Sequence, residues 1–432
     1  MSPPHILIIG AGITGLTLAQ ALRKAGIPFT VFERDPTPLY RGKGWGLTLH
    51  WALDTLLSLL PQDLIDRLPE TYVNPVAVEN EEPSKFLFFD LSTSEIKWQV
   101  QPMRRARVSR EKFRRLLMDG IDIQWNKTIS GIEQTPDCTN IRCHFTDGTS
   151  AEGGMLLGCD GARSKTRSLL CSLATSPGPD KLSENYQLPV RLLGVSVAYK
   201  SQLALKMRAL DPYFLQGGDP NSNSFFWFSF LDTPTNNDRE DRDTYECQIL
   251  VSWPYSPDNP GAGEVPVDNN ERLKLMRSLV DKWAEPFREI VQSIPDGVEA
   301  KSISLEDWPT PPRGTWNNFD GKATLIGDAA HAMTMFRGEA GNHGIADVAK
   351  FLNLMLPVWK DSTTDGGKDA TNTMTQKLAC DAYEDEMISR ANPAVLRSRK
   401  ACLNAHDYAS IHANSPLLTT RKILVDDAEG KK

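Results

Sequence analysis

The sequence predicts an α/β protein in which a Rossmann-like GxGxxG domain is interleaved with a β-sheet domain and followed by a C-terminal helical segment. Three observations lead there. Gly10-Ala11-Gly12-Ile13-Thr14-Gly15 joins a short apolar run to a segment of helical period. Cys159-Asp160-Gly161 and Gly327-Asp328-Ala329-Ala330-His331 each follow another short apolar run, far along the chain. Between these two, Val190–Tyr199, Phe225–Leu231 and Glu246–Trp253 are strand-like and rich in β-branched and aromatic residues.

The N-terminal elements form one βαβ unit. His5–Ile9 suits a strand buried on both faces, Thr14–Ala25 a helix ended by Gly26, and Phe29–Phe32 a second strand beside the first. Pro36–Gly46 is a loop. His50–Leu60 is helical in period, with Leu53, Leu56, Leu57 and Leu60 on one stripe. Phe86–Leu91 and Ile96–Val100 form a hairpin across Ser92-Thr93-Ser94. Ser109 suits the N-cap of a helix reaching Asp119, with Glu111 in its first turn. Short strands follow near 121–125, 131–134, 141–145 and 155–158. Further on, helices are expected at 272–283 and 287–294, split at Pro286, and a short strand at 322–326. An amphipathic helix is expected at 341–356, and a largely helical stretch at 374–413 after a Gly/Thr/Asp linker.

Composition narrows the function classes. The 432 residues suffice for two domains, and the net charge of −7 disfavours nucleic acid or an anionic membrane as the main partner. The basic cluster Arg104, Arg105, Arg107, Arg110, Lys112, Arg114 and Arg115 reads mostly as a solvated helix face. Seven cysteines, an odd number without a CxxC pair, point to reduced thiols, and no metal-ligand spacing occurs. No apolar run spans a bilayer and no targeting pattern is evident, so a cytoplasmic monomer or weak dimer is expected.

The glycines of the first motif have separate tasks. Gly10 permits the tight turn, Gly12 lets a pyrophosphate approach the backbone, and Gly15 allows close helix–strand packing. The helix behind them offers N–H groups to phosphate. Glu33, 18 residues past Gly15 at the end of the second strand, suits a ribose diol and repels a 2′-phosphate. Asp160 and Asp328 each stand at the C-terminal end of a strand, where open α/β sheets bind ligands. Ala329 and Ala330 admit a bulky ligand, and Gly338 and Gly341 precede a helix whose N–H groups favour negative charge. The three motifs together suggest one FAD.

With these residues the chain resembles the single-component FAD-dependent aromatic hydroxylases of the p-hydroxybenzoate hydroxylase fold. It is most similar to their fungal secondary-metabolite members, over residues 5–360. Agreement extends to Glu33-Arg34, to Arg110 before a Leu-rich helix, and to Asp160-Gly161-x-x-Ser164-x-x-Arg167. The resemblance implies Glu33 and Arg34 at the adenosine end, Arg110 near the phosphates or ribityl chain, and Asp328 on the ribityl chain. Asp160 and Gly161 would support both FAD and a transient nicotinamide, and Gly327, Gly338, Gly341 and Asn342 would surround the flavin. Arg41 and Gly44 fall in the loop that lets the ring swing. It also implies NADPH or NADH and O2 as co-substrates, a flavin C4a-hydroperoxide, and oxygenation of an aromatic, polyketide or alkaloid molecule by hydroxylation, dearomatisation, epoxidation or Baeyer–Villiger insertion. The expected division is 1–75, 101–180 and 306–360 for the FAD-binding domain, 76–100 and 181–305 for the substrate-binding β-sheet domain, and 361–432 for the helical region.

Two positions depart from the family pattern: Met335 stands where a proline is usual, and Ala340 where a glycine is usual, with Gly341 one place later. They leave open a non-redox FAD-dependent isomerase or cyclase on the same fold. A flavin halogenase is disfavoured because its WxWxIP motif is absent. On the substrate side, Arg191 matches the place of an arginine that holds a phenolate or carbonyl oxygen in dearomatising relatives. Phe226 and Phe228, with Met335, are the candidate pocket walls; alternation lets only half of the 225–230 aromatics face one pocket. His331 reads as structural.

Overall fold

The structure, a computed structural model, describes residues 3–38, 40, 44–100, 105–174, 182–237, 242–256, 258, 264–361 and 375–421. Its centre is a five-stranded parallel sheet in the order Ala323–Leu325, Met155–Gly158, Ile6–Ile9, Phe29–Phe32 and Ile123–Gln124. Ile6–Ile9 is paired on both edges and buried on both faces, which is why it reads as an uninterrupted apolar run. The helix Ile13–Ala25 crosses back over this sheet and stops at Gly26. There φ is 73°, and the Gly26 N–H bonds to the Arg23 and Leu22 carbonyls. All three chain-remote motifs leave the C-terminal ends of neighbouring strands of this sheet.

The second layer is a seven-stranded mixed sheet. Its order is Lys301–Ser302, Val190–Lys200, Thr244–Pro254, Phe225–Asp232, Phe214–Gly218, Leu87–Asp90 and Ile96–Gln99. One face carries Phe226, Phe228 and Phe230 and packs on Trp283 and Phe287. The other carries Phe225, Leu192, Leu250 and Phe214 and turns toward the residues after 400. The Leu87–Asp90 and Ile96–Gln99 hairpin inserts a remote part of the chain at the sheet edge, as expected.

Several elements went unanticipated, and two of them show why. The helix Ser201–Leu210 lacks a cap signal: Lys200 precedes it and no side chain caps it. Phe214–Gly218 ends in two glycines, a turn signature, yet it is a central strand. Gly217 is required there because a Cβ would lie 2.6 Å from Leu91 Cδ2 and 2.9 Å from the Phe89 carbonyl oxygen.

The long helix Gln376–Ala405 does not stand apart. Its Ala379, Cys380, Tyr383 and Met387 are buried in the same core as the parallel sheet, and the Tyr383 hydroxyl donates to the Leu325 carbonyl at 2.9 Å. The Asp361–Thr373 linker lies outside the described residues, apart from the backbone of Asp361 as the last residue of the helix Ala340–Asp361.

Candidate active site

A cavity of about 530 Å³ runs along the C-terminal ends of the parallel strands. It is lined by Gly10–Thr14, Glu33, Arg34, Arg110, Asp160, Gly161, Asp328, Ala340 and Gly341, among others. Volume and lining fall in the usual range for cofactor sites.

The glycine turn is built for a ligand. Gly10 has φ 109°, and a Cβ there would lie 2.5 Å from the Cys159 carbonyl oxygen. A Cβ on Gly15 would overlap the Gly10 carbonyl oxygen. Both therefore answer to packing. Gly12 does not: its φ of −78° suits any residue, and among the described residues no heavy atom beyond its chain neighbours stands within 4 Å of a Cβ built on it. The space left by its missing side chain belongs to the cavity. No side chain caps the helix Ile13–Ala25, and no acidic residue occupies its first turn, so its N-terminus is open to phosphate. These features fit the pyrophosphate of FAD.

Glu33 ties the second strand to this turn. Its Oε2 accepts from the Ala11 N–H at 2.7 Å and its Oε1 from the Asp35 N–H at 3.0 Å. Arg114 clamps the same turn from outside, Nε donating to the Ala11 carbonyl at 2.8 Å and Nη1 to the Pro38 carbonyl at 2.6 Å. Sequence reasoning singled out Arg110 and passed over Arg114, which no spacing rule separates from its basic neighbours. Asp160 lines the cavity, but its carboxylate starts the helix Lys165–Ser172: it accepts from the Ser164 hydroxyl and, at 3.0 Å, from the Thr166 N–H. Burial pushes the Asp328 carboxyl above its ordinary value, opposed by His331 and Arg110.

Behind Asp328 lies a closed ionic network. His331 Nε2 is 2.6 Å from Asp347 Oδ2, which also accepts the Gly327 N–H at 2.7 Å. Asp347 Oδ1 accepts from Arg390 Nη2 at 2.6 Å, and Arg390 Nη1 lies 2.9 Å from His343 Nδ1. Burial alone raises the Asp347 carboxyl, yet His331 and Arg390 hold it well below the usual carboxylate range. His343 is depressed by burial, His331 and Arg390. This network joins the Gly327–His331 motif to the helices Ala340–Asp361 and Gln376–Ala405, so His331 is structural.

A second cavity, of about 210 Å³, shares Leu47, Ala340 and Gly341 with the first. Its walls include Phe214, Phe225, Trp227 and Phe336, and its polar residues include Arg105, Arg107, Gln216 and Arg421. Phe214 and Trp227 are stacked, with centroids 5.0 Å apart and planes at 14°. Arg107 is buried beneath them, 5.8 and 5.7 Å from the two centroids, and donates to Thr48 Oγ1 and Ser229 Oγ, each at 2.9 Å. Burial lowers its guanidinium to about 9.

Several sequence expectations need correction. Phe226 and Phe228 face the opposite side of the sheet, against Trp283, Phe287 and Phe230; the cavity takes Phe225 and Trp227, one register position away. Arg191 reaches neither cavity: its neighbour Leu192 points inward, while its guanidinium lies 3.4 Å from the Tyr255 ring centroid and 4.0 Å from Glu264. Arg105 and Arg107 are not on a solvated helix face; Arg107 belongs to the strand Ala106–Ser109, and both line the second cavity. Met335 and Gly338 do line that cavity. Asn342 lies behind it, accepting the His50 N–H at 3.0 Å and donating to the Thr48 carbonyl at 2.9 Å. Gly327 packs on Thr14, and Gly44, with φ 135°, packs on Ser196; neither is among the residues that line these two cavities. Arg41 lies outside the described residues.

Comparison with known proteins agrees with this geometry. A family model described as an FAD binding domain matches residues 4–382. A probable FAD-dependent monooxygenase of Arthroderma benhamiae is 65% identical over 99% of this chain and 97% of its own length. An FAD-dependent monooxygenase of Emericella nidulans is 39% identical over 84% of this chain and 89% of its own. Among solved structures, 2,6-dihydroxypyridine-3-hydroxylase from Arthrobacter nicotinovorans superposes with a TM-score of 0.71 at 20% identity, covering 99% of both chains, a likeness of fold alone. The chain belongs to the family of FAD-dependent monooxygenases and is a flavin-using oxidoreductase on an α/β fold.

Proposed function

We propose that this enzyme uses NAD(P)H and O2 to oxygenate a small aromatic, polyketide or alkaloid molecule in the second cavity, beside FAD extended along the first. One observation carries the reading: the glycine-turn cavity and the aromatic-walled cavity meet at Leu47, Ala340 and Gly341. A ligand reaching from Glu33 to that seam would present its far end to whatever occupies the second cavity.

Bound FAD supplies two-electron reduction by NAD(P)H and activation of O2. The chain's own residues do the rest. Gly12 and the helix behind it receive the pyrophosphate, and Glu33, already fixed by the Ala11 and Asp35 N–H groups, stands at the ribose end. Arg110 and Asp328 flank the middle. The N-terminus of the helix Ala340–Asp361 favours negative charge at the seam. Phe214, Phe225, Trp227 and Phe336 keep water from the reacting face and orient a planar substrate.

The test is the visible spectrum of the purified protein, then NADPH and NADH oxidation with oxygen uptake against phenols, indoles and polyketides. Substrate-accelerated oxidation with oxygen incorporated into product is the expected result. An FAD-loaded protein that converts its substrate without NAD(P)H or O2 would instead be an isomerase or cyclase.

A further inference from the structure

We propose that residues 411–421 form a wall of the second cavity, and that Arg421, together with Arg107, selects an aromatic anion as substrate. The inference rests on the reading that this cavity is the substrate site.

The segment is held at the cavity by side chains from elsewhere in the chain. Arg337 donates to the Pro416 carbonyl, to Thr419 Oγ1 at 3.0 Å and to the Thr420 carbonyl at 3.3 Å. Leu417 and Leu418 are buried in the cluster that contains Phe86, Phe225 and Phe336. Arg421 then enters the cavity lining. The family model stops at residue 382, so this wall comes from beyond the matched part of the chain.

The chemistry of the lining is one-sided. Arg105, Arg107, Arg337 and Arg421 all line the cavity, and no Asp or Glu does so among the described residues. Arg337 is neutralised by Glu339, 2.5 Å away. Among the described residues, Arg107 hydrogen-bonds only to two hydroxyls, and Arg421 only to the Arg337, Thr419 and Leu417 carbonyls. Arg107 Nε and Gln216 Nε2 are buried without a hydrogen-bond partner among the described residues. Donors therefore outnumber acceptors around this space, a costly arrangement unless a ligand supplies the acceptor.

Phe86 adds an independent sign. It holds φ 47°, a left-handed backbone that a bulky residue rarely adopts. In that conformation its ring meets two of the cations, with Arg421 4.5 Å and Arg105 5.2 Å from the centroid. Strain of this kind concentrates at binding sites. Guanidinium groups beside stacked aromatics suit a planar ring bearing a carboxylate or an ionised phenol, whose desolvation cost their charge and donors offset.

The experiment uses the full-length, FAD-loaded protein and calorimetric titration at pH 8 with two probe pairs: 2-naphthoate against 2-naphthamide, and 2,4-dinitrophenol against 2,4-dinitroanisole. The expected result is that at least one anion binds roughly ten- to a hundredfold tighter than its neutral partner. The pair that discriminates names carboxylate or phenolate. Arg421→Gln should reduce that preference to a few-fold, and Arg421→Lys should retain part of it. A flavin-loaded protein that binds neither anion more tightly than its neutral partner overturns the inference, whatever the variants do. A protein that takes up no FAD contradicts the functional reading instead, and the absorbance spectrum distinguishes the two.

Discussion

His331 Nε2 and Asp347 Oδ2 lie 2.6 Å apart, both side chains wholly out of contact with solvent. The pair fastens the third glycine motif to the helix that follows it, and Arg390 extends the tie to the long C-terminal helix. The histidine of that motif thus works as a strut of the cofactor cavity.

Asp347→Asn should be strongly destabilising. It removes one of the two carboxylates that pair with the buried Arg390, leaving Glu386, and takes the charge from opposite His331, a loss of up to about 3–5 kcal/mol. Thermal denaturation of the FAD-free protein measures it. An unchanged melting temperature would show that the network carries little of the stability.

Glu384 gives a pH dependence of definite sign. Its carboxylate accepts from Trp316 Nε1 at 2.9 Å and Thr324 Oγ1 at 2.8 Å, while burial raises it from 4.5 to about 7. A carboxyl raised in the folded state binds its proton better there than in the unfolded chain. Its contribution is therefore complete below about 4.5 and is lost as the pH rises through about 7. The loss is about 3 kcal/mol. Denaturant titrations of wild type and Glu384→Gln across pH 5 to 8 should show the wild type losing stability relative to the variant as pH rises. Parallel curves would contradict the assignment.

Strand parity separates two adjacent aromatics. Phe226→Ala empties a site in the core behind the sheet and should cost about 3–5 kcal/mol while leaving substrate KM near its wild-type value. Trp227→Ala removes a cavity wall and should raise KM about tenfold with FAD retained. Chemical denaturation and steady-state kinetics on both variants decide the matter; the reverse pattern would mean that the pocket lies on the other face.

The sequence reveals the cofactor half of this protein far better than the substrate half, for physical reasons. Strands buried on both faces appear as bare apolar runs, and a phosphate-binding turn demands glycines at fixed local spacing, so Ile6–Ile9, Gly12 and Glu33 can all be found without coordinates. The run Phe225-Phe226-Trp227-Phe228 has no polar alternation, so nothing in it says which residues face the cavity. Arg191 was assigned to the cavity through the same ambiguity, since its strand neighbour Leu192 takes the inward position. Arg105 and Arg107 did leave a trace: their spacing of two, around Ala106 and before Val108, is a strand pattern inside a basic cluster. Arg421 leaves none, because its place depends on contacts with Arg337, 84 positions earlier.

Gly12→Ala tests the central claim most directly. Among the described residues, no atom other than those of its chain neighbours lies within 4 Å of the added methyl, and the small loss of N-cap preference offsets the gain from a stiffer unfolded chain, so the FAD-free protein should melt near the wild-type temperature. The methyl would occupy the space assigned to the pyrophosphate, so FAD affinity, measured by equilibrium titration, should fall at least about tenfold, or about 1.4 kcal/mol. Wild-type FAD affinity in a folded Gly12→Ala protein would contradict the placement of the cofactor across the glycine turn.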